Sequence, residues 1–286
     1  MKVFRLLAAA LAAAVLLTAA GCAEESGGGS SKIPSPTIDY PVTVFDVTVA
    51  ACPQRIVSLS PAVTGILTAL GSDAQLVGVS DPCVVARELP RLGTSIAPDK
   101  EGIAALKPDL IFTTTALSAS DKKALEAGGA LVIPVAGAES YAALSGQYTQ
   151  IAQAVSGAIT GARNASRTFD RLDSRLKALR ADNRVRVVTY YTPSLLVPRG
   201  GLASELLLFA GALNVAPGER ADDAAVAASG AEVILCAEED AAAMTARFPE
   251  VRVIPFDVTA LEDSGERLIA ALEGLNATLF EKTEKN

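Results

Sequence analysis

The chain has 286 residues and a formal charge of −7, with hydrophobic residues making up 50% of it and aromatic ones 5%. That length holds two ordinary domains or one large one, with aliphatic cores, and the acidic balance argues against a nucleic-acid partner, which selects basic patches. Histidine is absent, which excludes His-based acid–base chemistry, Ser-His-Asp triads and His-ligated metal sites.

Lys2 and Arg5 precede an apolar run over residues 6–20, which leads into Leu17-Thr-Ala-Ala-Gly-Cys22. A basic start, a short apolar core and small residues before a cut site predict a signal peptide over 1–21, too short to persist as a spanning helix. Small residues leading directly into Cys resemble the lipobox of bacterial lipoproteins, although Ala19 stands where that motif more often has Leu. The resemblance implies that Cys22 becomes lipid-modified. Residues 22–42, with GGGSS and several prolines, form an expected flexible tether. The expected location is the extracytoplasmic face of the cell membrane, held by the lipid.

Short apolar runs at 55–60, 76–80, 109–114 and 131–135 predict strands, and they alternate with helical runs at 62–70, 100–106, 120–127 and 140–155. Strands of this kind form a parallel sheet covered on both faces, with ligands meeting the loops at the carboxyl ends. Cys52 precedes one predicted strand and Cys83 follows the next, so in neighbouring parallel strands the thiols lie at opposite ends and no bridge is expected. Residues 43–157 are the expected first lobe.

Over 158–182 the apolar residues Ala162, Ala165, Phe169, Leu172, Leu176 and Leu179 recur at spacings of three and four, which predicts one helix roughly 37 Å long. Its other face carries charges, with Asp173 and Lys177 placed to pair and basic residues suiting the carbonyl end. Gly157 and Gly161 are expected to soften its first turn. Beyond it, strands at 185–191, 232–236 and 251–256 alternate with helices at 202–209, 222–228 and 264–280. Residues 183–286 are the expected second lobe. The predicted fold is α/β: two lobes, each a mostly parallel sheet flanked by helices, joined by one long rigid helix.

Three blocks in order carry a specific resemblance. Pro53-Gln-Arg-Ile-Val-Ser-Leu-Ser-Pro-Ala-Val-Thr-Gly-Ile-Leu-Thr-Ala-Leu-Gly71, then Leu76-Val-Gly-Val-Ser-Asp81, then Glu101-Gly-Ile-Ala-Ala-Leu-Lys-Pro-Asp-Leu-Ile111 resemble the substrate-binding proteins of ABC importers for cobalamin and iron siderophores. The segment 195–214 is similar to the second-lobe pattern of that family, with Ala212 replacing a glycine. One departure is Gly65, where the family usually carries Glu. The resemblance implies a monomer in which one long helix joins two α/β lobes. It also implies capture of a corrinoid or iron chelate (siderophore or haem) between the lobes, and delivery to an ABC permease with its ATPase.

Loop position and residue chemistry nominate Ser60, Pro61, Asp81, Cys83, Thr115, Tyr190, Tyr191 and Arg199 for ligand contact. Tyr190 and Tyr191 offer apolar area with a polar tip, and as strand neighbours they point oppositely, so at most one lines the cleft. Arg199 is placed to meet an anionic oxygen or to stand as a surface charge. Cys83 is either a soft contact or a small buried residue. By resemblance Glu101 matches the glutamate at the first lobe's tip that pairs with a permease arginine; otherwise it is a solvated helix-start residue. On the second lobe the family pattern aligns Ala224, next to Asp223, which either docks or caps its helix. There is no phosphate loop, no G-x-S-x-G and no cysteine pair at zinc spacing, so no enzyme, no cofactor and no metal site are expected. A ligand-sensing lipoprotein working with a membrane receptor and a lipid-anchored hydrolase are the alternatives.

Overall fold

The computed structural model describes residues 39–179 and 184–280; the expected signal peptide, Cys22 and most of the expected tether lie outside them. The tether expected through residue 42 ends earlier. Tyr40 donates its hydroxyl to the Ala154 carbonyl at 3.1 Å, and a hairpin of β1 (Val42–Val44) and β2 (Val47–Val49) follows at once. Val44 and Val49 are buried against the first lobe, so hydrophobic burial draws this stretch onto the body.

The first sheet contains β3 (Ile56–Ser58), β4 (Leu76–Val79), β7 (Leu110–Thr114) and β8 (Leu131–Val135) in the order β4-β3-β7-β8, all parallel. A small hairpin, β5 (Gly93–Thr94) with β6 (Ala97–Pro98), stands beside it. The connecting helices are α1 (Pro61–Ala69), α2 (Lys100–Leu106), α3 (Ala119–Glu126) and α4 (Tyr141–Ser156). Three of them start on a serine whose hydroxyl accepts from a first-turn amide: Ser60 for α1, Ser118 for α3 and Ser140 for α4. Such caps satisfy donors that no helical carbonyl reaches.

Alternate residues of one strand enter different cores, which is why these strands are apolar throughout. Ile56, Leu110 and Phe112 face one cluster, whereas Val57 and Ile111 face another with Ile103, Leu125 and Val132.

From β8 the chain runs through α4 and then through α5 (Ala158–Ala178), the crossing to the second sheet. The break between the two helices is Gly157, at φ +84°, a conformation that other residues adopt only with strain. Helix α5 has 21 residues, so about 31 Å, with Leu179 as its cap; residues 180–182, expected in it, lie outside the described residues. Gly161 does not soften the helix. A Cβ there would fall 2.5 Å from the Ala152 carbonyl carbon, so the missing side chain lets α4 and α5 approach closely. Lys177 Nζ lies 2.6 Å from Asp173 Oδ2, and Arg175 Nη2 lies 2.8 Å from Glu273 Oε1 while its other nitrogen reaches Glu266. These exposed pairs contribute little each, but the Arg175 pairs tie the crossing helix to the last one.

The second sheet has the order β10-β9-β12-β13, with β11 also paired to β9. Its strands are β9 (Val185–Thr192), β10 (Leu195–Leu196), β11 (Ala212–Asn214), β12 (Val233–Cys236) and β13 (Arg252–Pro255). All pairings are parallel except β10 with β9. Around it lie α6 (Gly201–Phe209), α7 (Asp223–Ala228), α8 (Ala241–Arg247) and the closing helix α9 (Glu266–Phe280).

One buried cluster runs from Ile56 and Phe112 of the first sheet, through Leu144, Ile151 and Leu176, to Leu235, Ile254 and Leu272 of the second half. Few aromatic residues are available, yet four meet here. Tyr141 lies 5.3 Å from Phe169 and 4.9 Å from Phe209, and Tyr148 lies 5.4 Å from Phe169, centroid to centroid. Burial at this seam, at about 1.5–3 kcal/mol per large side chain, makes it a second bond between the lobes besides the single chain crossing.

Candidate ligand cleft

The carboxyl ends of the first sheet's strands open onto a cavity of about 410 Å³ that loops of the second half close from the other side. The first half supplies Ser60, Pro61, Thr114 and the turn at residues 136–138, and the second supplies Pro198, Gly200, Leu202, Glu262 and Ser264. Its walls are held from behind. Ser60 caps α1 by accepting from Val63 N, Gln147 Nε2 donates to the Ala136 carbonyl at 2.6 Å, and the Tyr148 hydroxyl donates to the Ser264 carbonyl. Loops fixed in this way are preorganised, which lowers the ordering cost of binding.

A second cavity, of about 650 Å³, lies over the ends of β9, β12 and β13. Tyr191, Phe256, Glu238, Glu239, Asp240 and Asp257 line it. The three consecutive acidic residues form a 3-10 turn directly after β12. Arg267 Nη2 meets Asp257 Oδ2 at 2.7 Å; the Asp257 carboxyl, though burial opposes it, is held below its ordinary value by hydrogen bonds from Thr259 and Arg267. The Tyr191 hydroxyl is pushed above its ordinary value by burial and then by Glu262, so it remains a protonated donor at neutral pH.

The nominated residues separate into distinct places. Ser60 and Pro61 line the inter-lobe cavity, and Tyr191 lines the larger one. Tyr190 points the other way, 2% exposed, into the outer core of the second sheet with Phe248 and Met244. The guanidinium of Arg247 stands 5.7 Å over its ring, and strand alternation leaves no route to the cleft. Cys83 is likewise core. It is 2% exposed, its sulfur lies 3.1 Å from both Thr64 Oγ1 and Ser80 Oγ, and burial pushes its thiol up. Asp81 and Thr115 are exposed and line neither cavity. The Asp81 amide donates to the Gly93 carbonyl at 2.8 Å, which turns that loop onto the β5–β6 hairpin. Thr114, one residue before Thr115, takes the cavity wall. Arg199 is exposed between two lining residues, Pro198 and Gly200.

At the two tips, Glu101 is exposed in the first turn of α2. Asp222 caps α7 by accepting from Ala225 N at 2.7 Å, while Asp223 Oδ1 is engaged by Arg247 Nε at 2.7 Å. Arg247 also donates to the Pro193 carbonyl at 2.7 Å. Cys52 is exposed, Cys83 and Cys236 are buried, and all three are free.

Gln147, Glu262 and Ser264 enter the cleft from outside the nominated loops. Glu262 belongs to a 3-10 turn, Val258–Glu262, and Ser264 stands ahead of α9 rather than in it. The only sequence signal for the turn is the run Glu262-Asp-Ser-Gly265 before the helix, a typical start-of-helix cluster.

Comparison with known proteins agrees with this architecture. Residues 56–235 match the family model described as periplasmic binding protein. Among solved structures, a periplasmic heme binding protein from Pseudomonas aeruginosa is 23% identical with a TM-score of 0.67, covering 80% of this chain and 93% of that one. The vitamin B12 binding protein BtuF of Vibrio cholerae is 21% identical with a TM-score of 0.61, covering 82% and 99%. A possible iron-binding (periplasmic solute-binding) protein from Staphylococcus epidermidis is 19% identical with a TM-score of 0.64, covering 81% and 100%. No curated protein sequence matches the chain. The match over residues 56–235 shows that the chain belongs to the periplasmic binding protein family.

Proposed function

We propose that the protein is an exported lipoprotein that captures a corrinoid or iron chelate in the inter-lobe cleft and delivers it to an ABC permease. The observation that carries this reading is the cavity of about 410 Å³ walled by loops of both halves, those of the first half at the carboxyl ends of β3, β7 and β8, the usual ligand position in open α/β sheets. The family membership supports it, as do the heme, vitamin B12 and iron ligands in the names of the similar structures. In this reading Ser60, Pro61 and Tyr191 touch ligand and Arg199 stands at the rim. Glu101 and Asp223 face cationic pockets of the permease, Asp223 exchanging its bond to Arg247 for one to the partner. Cys22 carries the lipid, the two halves 43–157 and 183–286 act as lobes around the crossing helix, and the protein works as a monomer on the extracytoplasmic face.

Calorimetric titration of the purified protein with cobalamin, cobinamide, haemin and ferric siderophores tests the ligand class, and binding at micromolar levels or better by one of them is the expected result. Absence of binding by all of them would remove it. Fatty-acid labelling of wild type against Cys22→Ser tests the anchor, and charge reversal at Glu101 and Asp223 together is expected to abolish uptake without loss of binding.

A further inference from the structure

We propose, resting on the reading of the inter-lobe cavity and the larger cavity over β9, β12 and β13 as parts of one ligand site, that this site selects neutral or positively charged chelates and rejects polyanionic ones. Five carboxylates line the two cavities, Glu238, Glu239, Asp240 and Asp257 in the larger and Glu262 between the lobes, and no lysine or arginine is in either lining. Arg267 answers Asp257. The other four have no ion-pair partner among the described residues. Arg199 at the rim is one exposed cation against them.

Backbone, rather than rotamer choice, places three of these charges, because the turn Glu238–Asp240 begins two residues after the end of β12. Their field reaches the strand behind them. The thiol of Cys236 is pushed up to about 11, first by burial and then by Asp240, Glu238 and Glu239. A concave site lined by one sign of charge concentrates ligands of the other sign and repels its own.

A bare cation does not account for the arrangement, since no three acidic or cysteine side chains among the described residues are grouped to hold a metal ion. What fits is a larger molecule that offers donors, ammonium or amide N–H groups, to the carboxylates, with the protonated Tyr191 hydroxyl beside them. The half-buried ring of Tyr191 at the cavity wall gives a cationic or apolar body a surface to rest on. Amide-bearing corrinoids and hydroxamate chelates have this chemistry. Catecholate chelates and the propionates of haem bring anionic oxygens against carboxylates that nothing neutralises.

The test holds the scaffold constant and changes the charge. The purified protein is titrated calorimetrically with ferrioxamine B bearing its free ammonium, with its N-acetyl form and with its N-succinyl form. A second series compares dicyanocobinamide with cobyrinic acid, and haemin and a ferric tris-catecholate serve as anionic references. The expected result, in whichever series binds, is that the ammonium or amide member binds on the order of tenfold tighter than the carboxylate member, with a gap that narrows in high salt. In the combined variant Glu238→Gln, Glu239→Gln, Asp240→Asn the gap is expected to close, through weaker binding of the ammonium or amide member, while the melting temperature persists. Equal or tighter binding of the carboxylate members or anionic references, or a gap unchanged in the variant, overturns the charge selection alone. No binding by any compound overturns the cleft reading together with it.

Discussion

The carboxylate of Asp263 occupies the space into which a side chain on Gly65 would project. A Cβ at Gly65 would lie 2.9 Å from Asp263 Cγ and 3.0 Å from the Gly265 amide, which itself donates to Asp263 Oδ1 at 2.7 Å. Position 65 is where the family pattern usually carries Glu, and here a helix of the first half packs against a loop of the second with no room for one. We predict that Gly65→Ala costs about 1–3 kcal/mol, as overpacking does. Asp263→Ala in the same chain should return part of that loss. Urea unfolding of the two single variants and the double variant measures the coupling; strictly additive losses would refute the contact.

Asp263 also gives stability a pH dependence. Burial raises its carboxyl above the ordinary value of 3.8, with Asp257 adding to the rise while the Gly265 and Ser264 amides and Arg267 oppose it. The folded state therefore holds this proton more tightly than the unfolded one. Its contribution is full below the ordinary value and is lost as pH rises through the folded one. The difference in unfolding free energy between Asp263→Asn and wild type should grow in favour of the variant from about pH 4 upward. A difference that stays flat with pH would show that the carboxylate is not penalised by burial.

Closure on ligand should be small. The crossing helix is continuous over its 21 residues, and a single buried cluster passes from one sheet to the other. Separating the lobes would break the Tyr148–Ser264 hydrogen bond and the Tyr141–Phe209 ring contact. Solution scattering with and without a bound chelate should give the same radius of gyration within error. Spin labels on the two tips should show only a minor shift, and a large shortening would contradict this.

Thiol chemistry should sort by burial. Of Cys52, Cys83 and Cys236, only Cys52 is exposed, and burial pushes the thiols of the other two above their ordinary values. Maleimide is expected to modify Cys52 in the native protein and the others only in denaturant. Rapid native labelling of Cys83 would return it to the cleft.

The sheets were legible because burial on both faces turns strands such as Ile56–Ser58 and Val233–Cys236 into unbroken apolar runs. The crossing helix was legible because its stripe is interrupted by charges. The hairpin over residues 42–49 was not recognised although Val-Thr-Val repeats on both sides of its turn. The turn is made by Phe45 and Asp46, at φ +47° and +60°, without the glycine that usually marks two positive angles. At the cleft, loop order alone indicated Ser60 and Pro61. Choosing Tyr191 over Tyr190, or Thr114 over Thr115, requires knowing which face of a strand is inside. Glu262 arrives on a 3-10 turn that has no apolar period of its own. Gly161 shows the same limit, since its role is set by Ala152 on a different helix.

The first described residue has a mechanical consequence. Asp39 accepts from the amides of Ile159 at 3.2 Å and Thr160 at 3.1 Å, and its carbonyl accepts from Ala158 at 3.0 Å. The bond from Thr160 leads the effects that hold its carboxyl below the ordinary value. Asp39 thereby joins the body at the start of the crossing helix, beside the break at Gly157. A force applied through Asp39 would load the helix that both sheets share, with little lever arm on either half.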